Sequence, residues 1–155
     1  MKKIFLAPLA LVLASQVAMA DPITKMITVT ASIPTSDFKV LDPTGWTTRP
    51  VQMGVGMDDK LLPVTGNFLY AKAVANTVTA KLDPPAQITG GGNTIALAVS
   101  VNGKAVTVNT PVTLLTETEA AAGQNMPVEI SATSGTQPAG EYFGMISMTF
   151  ENAAP

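Results

Sequence analysis

Ile95-Ala96-Leu97-Ala98-Val99-Ser100-Val101-Asn102-Gly103-Lys104-Ala105-Val106-Thr107-Val108 alternates large and small side chains and is broken once, by an Asn-Gly pair. A period of two places every second residue on one face of a strand, so Ile95, Leu97, Val99 and Val101 share a face. Both central residues of a type I′ turn need positive φ, which Asn-Gly supplies at little steric cost. The stretch predicts a β-hairpin with arms at 95–101 and 104–108.

Working outward, the same period recurs between Gly, Pro, Asn and Asp punctuation. Strands are expected at 27–33, 67–74, Thr77–Leu82, 112–116, 128–132 and 142–150, with Asp83-Pro84-Pro85 stopping the third of these. Gly90-Gly91-Gly92 reads as an inter-strand turn rather than a phosphate loop, because no Gly-Lys-Ser/Thr follows it. One short helix is expected at Glu117–Ala122, where Ala and Glu favour it and Gly123 ends it. Short strands without a βαβ rhythm predict an all-β, antiparallel sandwich, and no repeat argues for a solenoid or propeller.

Composition narrows the chemistry. The chain has 155 residues, 46% hydrophobic and 13% charged, with no His and no Cys. A Ser-His-Asp triad, a Cys nucleophile and the usual zinc, copper or haem sites are therefore ruled out, and no cofactor is expected. Residues 1–20 read as a secretory signal: Lys2 and Lys3, an apolar stretch over 4–17, then Ala18-Met19-Ala20 with cleavage between Ala20 and Asp21. Cleavage leaves 7 basic against 11 acidic residues and a net charge of −4. Nucleic acid and anionic membrane surfaces are poor partners for such a chain.

The two ends of the mature chain stand out. In Ile27-Thr28-Val29-Thr30-Ala31-Ser32-Ile33, the residues Ile27, Val29, Ala31 and Ile33 share a face, and Pro34 closes the run. Near the C-terminus Tyr142, Ile146, Met148 and Phe150 share another, followed only by Glu151-Asn152-Ala153-Ala154-Pro155, too short and polar for a further strand. Periodicity alone does not separate a first strand paired within its own domain from one given to a neighbour. Other candidates have plain readings. Asp58-Asp59 lacks the spaced oxygen ligands of a calcium loop and reads as a solvated turn. Glu117 and Glu119 suit a short solvated helix better than an acid/base pair. Trp46, the only Trp, reads as a core cap, with a contact patch alongside Arg49 as the other reading.

Ile-Thr-Val-Thr-Ala-Ser at 27–32, Lys81-Leu82 through Gln87-Ile88-Thr89, the 95–101 strand with Asn102-Gly103, and Pro138-Ala139-Gly140-Glu141-Tyr142-Phe143-Gly144 together resemble the major subunits of alpha-class (class 5, colonization-factor-antigen type) chaperone–usher fimbriae. The resemblance spans essentially the whole mature chain. It implies an incomplete immunoglobulin-like β-sandwich completed by a donor strand from a neighbouring subunit. The implied layout is a signal peptide at 1–20, an N-terminal donor-strand extension at 21–34 and a pilin domain at 35–155. Ile27, Val29, Ala31 and Ile33 would be the donor knobs, and Tyr142, Ile146, Met148 and Phe150 the acceptor-groove edge strand. The implied function is that of a structural, non-enzymatic pilin exported through the periplasm to a surface fimbrium that supports adhesion. Its implied partners are identical subunits, a periplasmic chaperone, an outer-membrane usher, a minor tip adhesin and a host receptor. The alternative from the residues alone is a monomeric secreted or periplasmic sandwich that binds carbohydrate or protein through its loops.

Overall fold

The computed structural model describes residues 37–135 and 137–154. The expected signal segment, its cleavage site at Ala20 and Asp21, and the row Ile27, Val29, Ala31 and Ile33 lie outside the described residues. In chain order the elements are β1 (Phe38–Leu41), a 3-10 turn (Trp46–Thr48), β2 (Val64–Ala73), β3 (Thr77–Leu82), β4 (Gln87–Gly90), β5 (Asn93–Val101), β6 (Lys104–Ala105), β7 (Val112–Leu115), α1 (Glu117–Ala122), β8 (Gln124–Ala132) and β9 (Met148–Ala153).

The strands form two antiparallel sheets. The larger runs β1-β2-β8-β5-β4, with β6 paired to β5, and the smaller runs β7-β3-β9. The Asn-Gly hairpin forms as expected, with φ of 53° at Asn102 and 72° at Gly103. The four residues Ile95, Leu97, Val99 and Val101 all turn into the core. They meet Leu69, Ala71, Met126 and Val128 of the same sheet and Val78, Ala80, Leu82, Leu114 and Leu115 of the other in one cluster. Gly91 and Gly92 make the second tight turn, both at positive φ, joining β4 to β5.

Several expectations shift. The arm expected at 104–108 divides: after Ala105 only Val106 N–H still reaches β5, donating to Val99 O at 2.9 Å. The chain then crosses to the other sheet. There Leu82 N–H donates to Thr107 O at 2.9 Å, and Asn109 N–H to Leu82 O at 3.2 Å. Val106, 6% exposed, plugs the core at the crossing. Strands β1 and β4, four residues each, went unread. Trp46 is a core residue: it is 9% exposed and its indole N–H donates to Phe68 O at 2.9 Å.

Local chemistry explains the remaining elements. Helix α1 opens on a capping box in which Thr116 N–H donates to the Glu119 carboxylate at 2.8 Å, and Gly123 ends it. Those bonds hold the Glu119 carboxyl below its ordinary value, the Thr116 backbone bond contributing most. Ahead of Trp46, the Asp42 carboxylate accepts from the backbone and hydroxyl of Thr47, both at 2.7 Å, and from Thr44 and Gly45. Burial opposes ionisation there, but the combined hydrogen bonds from Thr47 and Thr44 prevail and lower the carboxyl to about 2.

Candidate functional site

The C-terminal segment crosses from one sheet to the other. Phe143 exchanges two backbone hydrogen bonds with Thr89 of β4, at 2.8 and 2.9 Å. A few residues later Ser147 O accepts from Asp83 N–H at 3.2 Å, and β9 then pairs with β3 from Leu82↔Met148 to Thr77↔Ala153. Two glycines permit the approach. A Cβ on Gly144 would fall on the Gln87 carbonyl oxygen, and one on Gly90 on the Glu141 carbonyl oxygen. The Tyr142 hydroxyl donates to Pro138 O at 2.9 Å, which fixes the ring against the preceding loop.

Regular strand structure begins at Met148 rather than at 142, and it continues through Ala153. This corrects both bounds of the strand expected at 142–150: it starts six residues later and runs three residues further, as one strand. The crossing over 142–147 follows β4 first and joins β3 only afterwards, so no single ladder spans it. At the far end, pairing is supported by side chains of β3: Thr77 Oγ1 donates to Ala153 O at 3.0 Å, Thr79 Oγ1 to Glu151 O at 3.4 Å, and Lys81 pairs with Glu151 at 3.3 Å.

Tyr142, Ile146, Met148 and Phe150 are each half-buried and pack against the core, whereas Phe143 and Met145 between them are 72% and 79% exposed. The alternation read from the sequence therefore holds even where the ladder does not. An open cleft of about 480 Å³ lies at the Tyr142 end, lined among others by Val55, Asp59, Leu61, Ile95, Pro138 and Tyr142. Sequence reasoning missed Val55 and Leu61. They face each other across a small hairpin closed by Gly56 N–H to Lys60 O and Leu62 N–H to Gly54 O, both 2.8 Å. A run broken by Gly and Pro carries no period that could have found them.

β9 is the terminal strand of its sheet, and among the described residues no strand pairs with its far side. An edge strand directs half of its N–H and C=O groups away from its partner. The site thus combines a line of backbone donors and acceptors with an adjoining row of half-covered apolar side chains. β-Strand addition in general uses a combination of this kind. The other candidates serve local structure: Asp58 pairs with Lys60 at 2.7 Å in the hairpin turn, and Glu119 caps α1. The hydrogen bond from Lys60, the main cause, holds the Asp58 carboxyl below its ordinary value.

The family model of the CS1 type fimbrial major subunit matches residues 23–151. The chain belongs to this family. As a CS1-type fimbrial major subunit it is a structural, non-enzymatic pilin that assembles with other subunits into a surface fimbrium. Its fold is similar to that of the CooA pilin subunit from enterotoxigenic Escherichia coli, at a TM-score of 0.58 and 18% identity, over 75% of this chain and 87% of that one. That likeness identifies the two-sheet architecture of the CS1-type subunit as the immunoglobulin-like pilin fold. A search of curated proteins by sequence gives no match.

Proposed function

We propose that this CS1-type subunit polymerises by donor-strand exchange, with β9 and the row Tyr142, Ile146, Met148 and Phe150 as the acceptor. The observation that carries this reading is the unpaired far side of β9 beside a row of apolar side chains that the described residues leave half covered. The donor is the N-terminal extension at 21–34 of the next subunit, exposed when the signal at 1–20 is cleaved between Ala20 and Asp21. Ile27, Val29, Ala31 and Ile33 fill the row, while Thr28, Thr30 and Ser32 face outward. Main-chain hydrogen bonds supply affinity and the alternate side chains supply register.

Fully burying each of the three large aliphatic knobs is worth roughly 1.5–3 kcal/mol, on the order of 5–9 kcal/mol together. That is comparable with the ~5–15 kcal/mol net stability of a whole domain. A subunit without a donor is therefore marginal, and a subunit within a fibre is hard to dissociate. Giving a strand on one side and receiving one on the other is a heterologous contact that does not close, so the product is a filament. Until the next subunit arrives, a periplasmic chaperone lends the strand, and exchange takes place at an outer-membrane usher. A minor tip adhesin and adhesion to a host receptor complete the proposed role of the fimbrium.

The test compares wild type with Val29→Asp, expressed with the neighbouring export genes, on gels of sheared material with and without boiling. Wild type should give a high-mass ladder that collapses on boiling, and Val29→Asp should give none, because a carboxylate placed in an apolar pocket is strongly disfavoured. A ladder of equal extent from the variant, or a monomer band in every lane, overturns the reading.

A further inference from the structure

The small sheet has two edges, β7 and β9, and the described residues treat them differently. A bare edge recruits any extended chain, and proteins commonly protect edges with charged side chains. On β7 the register against β3 shifts between Val78↔Leu115 and Thr79↔Thr113, so Leu114 is an extra residue in the ladder. The carbonyls of Thr113 and Leu114 both accept hydrogen bonds from the Lys104 ammonium, at 2.7 and 3.2 Å. Leu114 O also accepts from Asn102 Nδ2 at 3.0 Å. These donors come from the Asn102-Gly103 turn of the other sheet, which is held in place by Asn102 N–H donating to Pro127 O at 2.8 Å.

Lys104 therefore fills the position that the N–H groups of an added strand would take. An ammonium carries three donors and no acceptor, and hydrogen bonds from a charged donor are the stronger kind. The Glu119 carboxylate at the start of α1 adds its charge beside the same ammonium. On β9 the side-chain hydrogen bonds run from Thr77 and Thr79 of β3, toward the side already paired.

We propose that Lys104, assisted by Asn102, closes the β7 edge to strand addition and so confines subunit–subunit strand pairing to β9. The proposal rests on the reading of β9 as the accepting edge for its consequence, but not for its own test. Lys104 is here a specificity-determining residue of assembly: it decides which of two edges of one sheet a neighbouring chain can join. Its loss opens lateral pairing between β7 edges of separate subunits, and the fibres bundle.

The absence of native Cys makes a single introduced thiol a clean reporter. Thr113→Cys is placed on exposed β7, and Gln52→Cys serves as an exposed control outside the two sheets. Each is combined with native Lys104, Lys104→Met or Lys104→Arg in the full-length chain. Surface and periplasmic fractions are oxidised and resolved on non-reducing gels. With Lys104→Met, disulfide-linked pairs through Cys at 113 should rise at least about tenfold, the ratio set by ~1.4 kcal/mol. The Gln52→Cys control should not change, and Lys104→Arg should return the yield to the native level. Asn102→Gly keeps a residue suited to positive φ while deleting one donor. It should give a smaller rise and provides the measurement if Lys104→Met fails to accumulate.

Equal yields with native Lys104 and Lys104→Met overturn the proposal, as does an equal rise at positions 52 and 113. Because pairs are scored in the periplasmic fraction as well as in fibres, the result is independent of Val29→Asp. Failure of donor-strand exchange and failure of the edge assignment thus give different gels.

Discussion

Two apolar rows of this subunit share one sequence pattern and differ in their cover. Ile95, Leu97, Val99 and Val101 of β5 are between 0% and 8% exposed, lying under strands of the opposite sheet. Tyr142, Ile146, Met148 and Phe150 also turn toward the core, yet each remains half exposed. The first row sits on a strand paired on both sides, the second beside and along an edge strand. Alternation specifies which way side chains point, whereas cover depends on what lies opposite. The first row serves folding; on the reading proposed above, the second is the one that another chain completes.

The sharpest way to test this contrast is to truncate one residue in each row. Ile95→Ala should lower subunit stability by about 2–5 kcal/mol, since the site is closed and leaves a cavity. Phe150→Ala should cost the unassembled subunit less, about 1–2 kcal/mol, because a half-exposed ring has less contact to lose. In fibres the order should narrow, with Phe150→Ala lowering the temperature at which the polymer dissociates in SDS. Equal losses in both states would break the distinction between the rows.

A smaller effect is expected where the second row is fastened to the first sheet. Gly144→Ala should destabilise by ~1–3 kcal/mol, because its Cβ meets a backbone carbonyl that cannot rotate away. Hydrogen exchange at Thr89 and Phe143 should accelerate in this variant while exchange within β5 is unchanged. Uniform acceleration throughout the subunit would mean that the crossing is not a separate fastening.

The smallest effect belongs to the closed side, at the loop that seats Trp46. The folded Asp42 carboxyl lies at about 2, below its ordinary 3.8. A depressed carboxylate contributes stability that is present above the unfolded value and lost as pH falls through the folded one. Asp42 should therefore contribute to a loss of stability between about pH 4 and pH 2, modest in size because the group is largely solvated. Urea midpoints measured across that window should fall less steeply in Asp42→Asn, and identical slopes would remove Asp42 as the cause.

Much of this molecule was legible in the sequence. Alternation located β3 and β5, Asn102-Gly103 located the turn after β5, and the helix at Glu117–Ala122 followed from its Ala and Glu content and the glycine that ends it. The facing of Tyr142, Ile146, Met148 and Phe150 was legible for the same reason, since a period of two survives a bend in the chain. These are local properties: side-chain direction, turn φ and helix preference depend on residues a few positions apart. Tertiary structure alone decided that 104–108 divides between two sheets, that Gly144 and Gly90 allow the crossing, and that Val55 and Leu61 wall a cleft beside Tyr142. It alone decided that Lys104 covers the carbonyls of Thr113 and Leu114 while the far side of β9 carries no paired strand among the described residues. Pairing and cover are relations between segments far apart in sequence. No single segment's pattern records which edge its neighbours leave open.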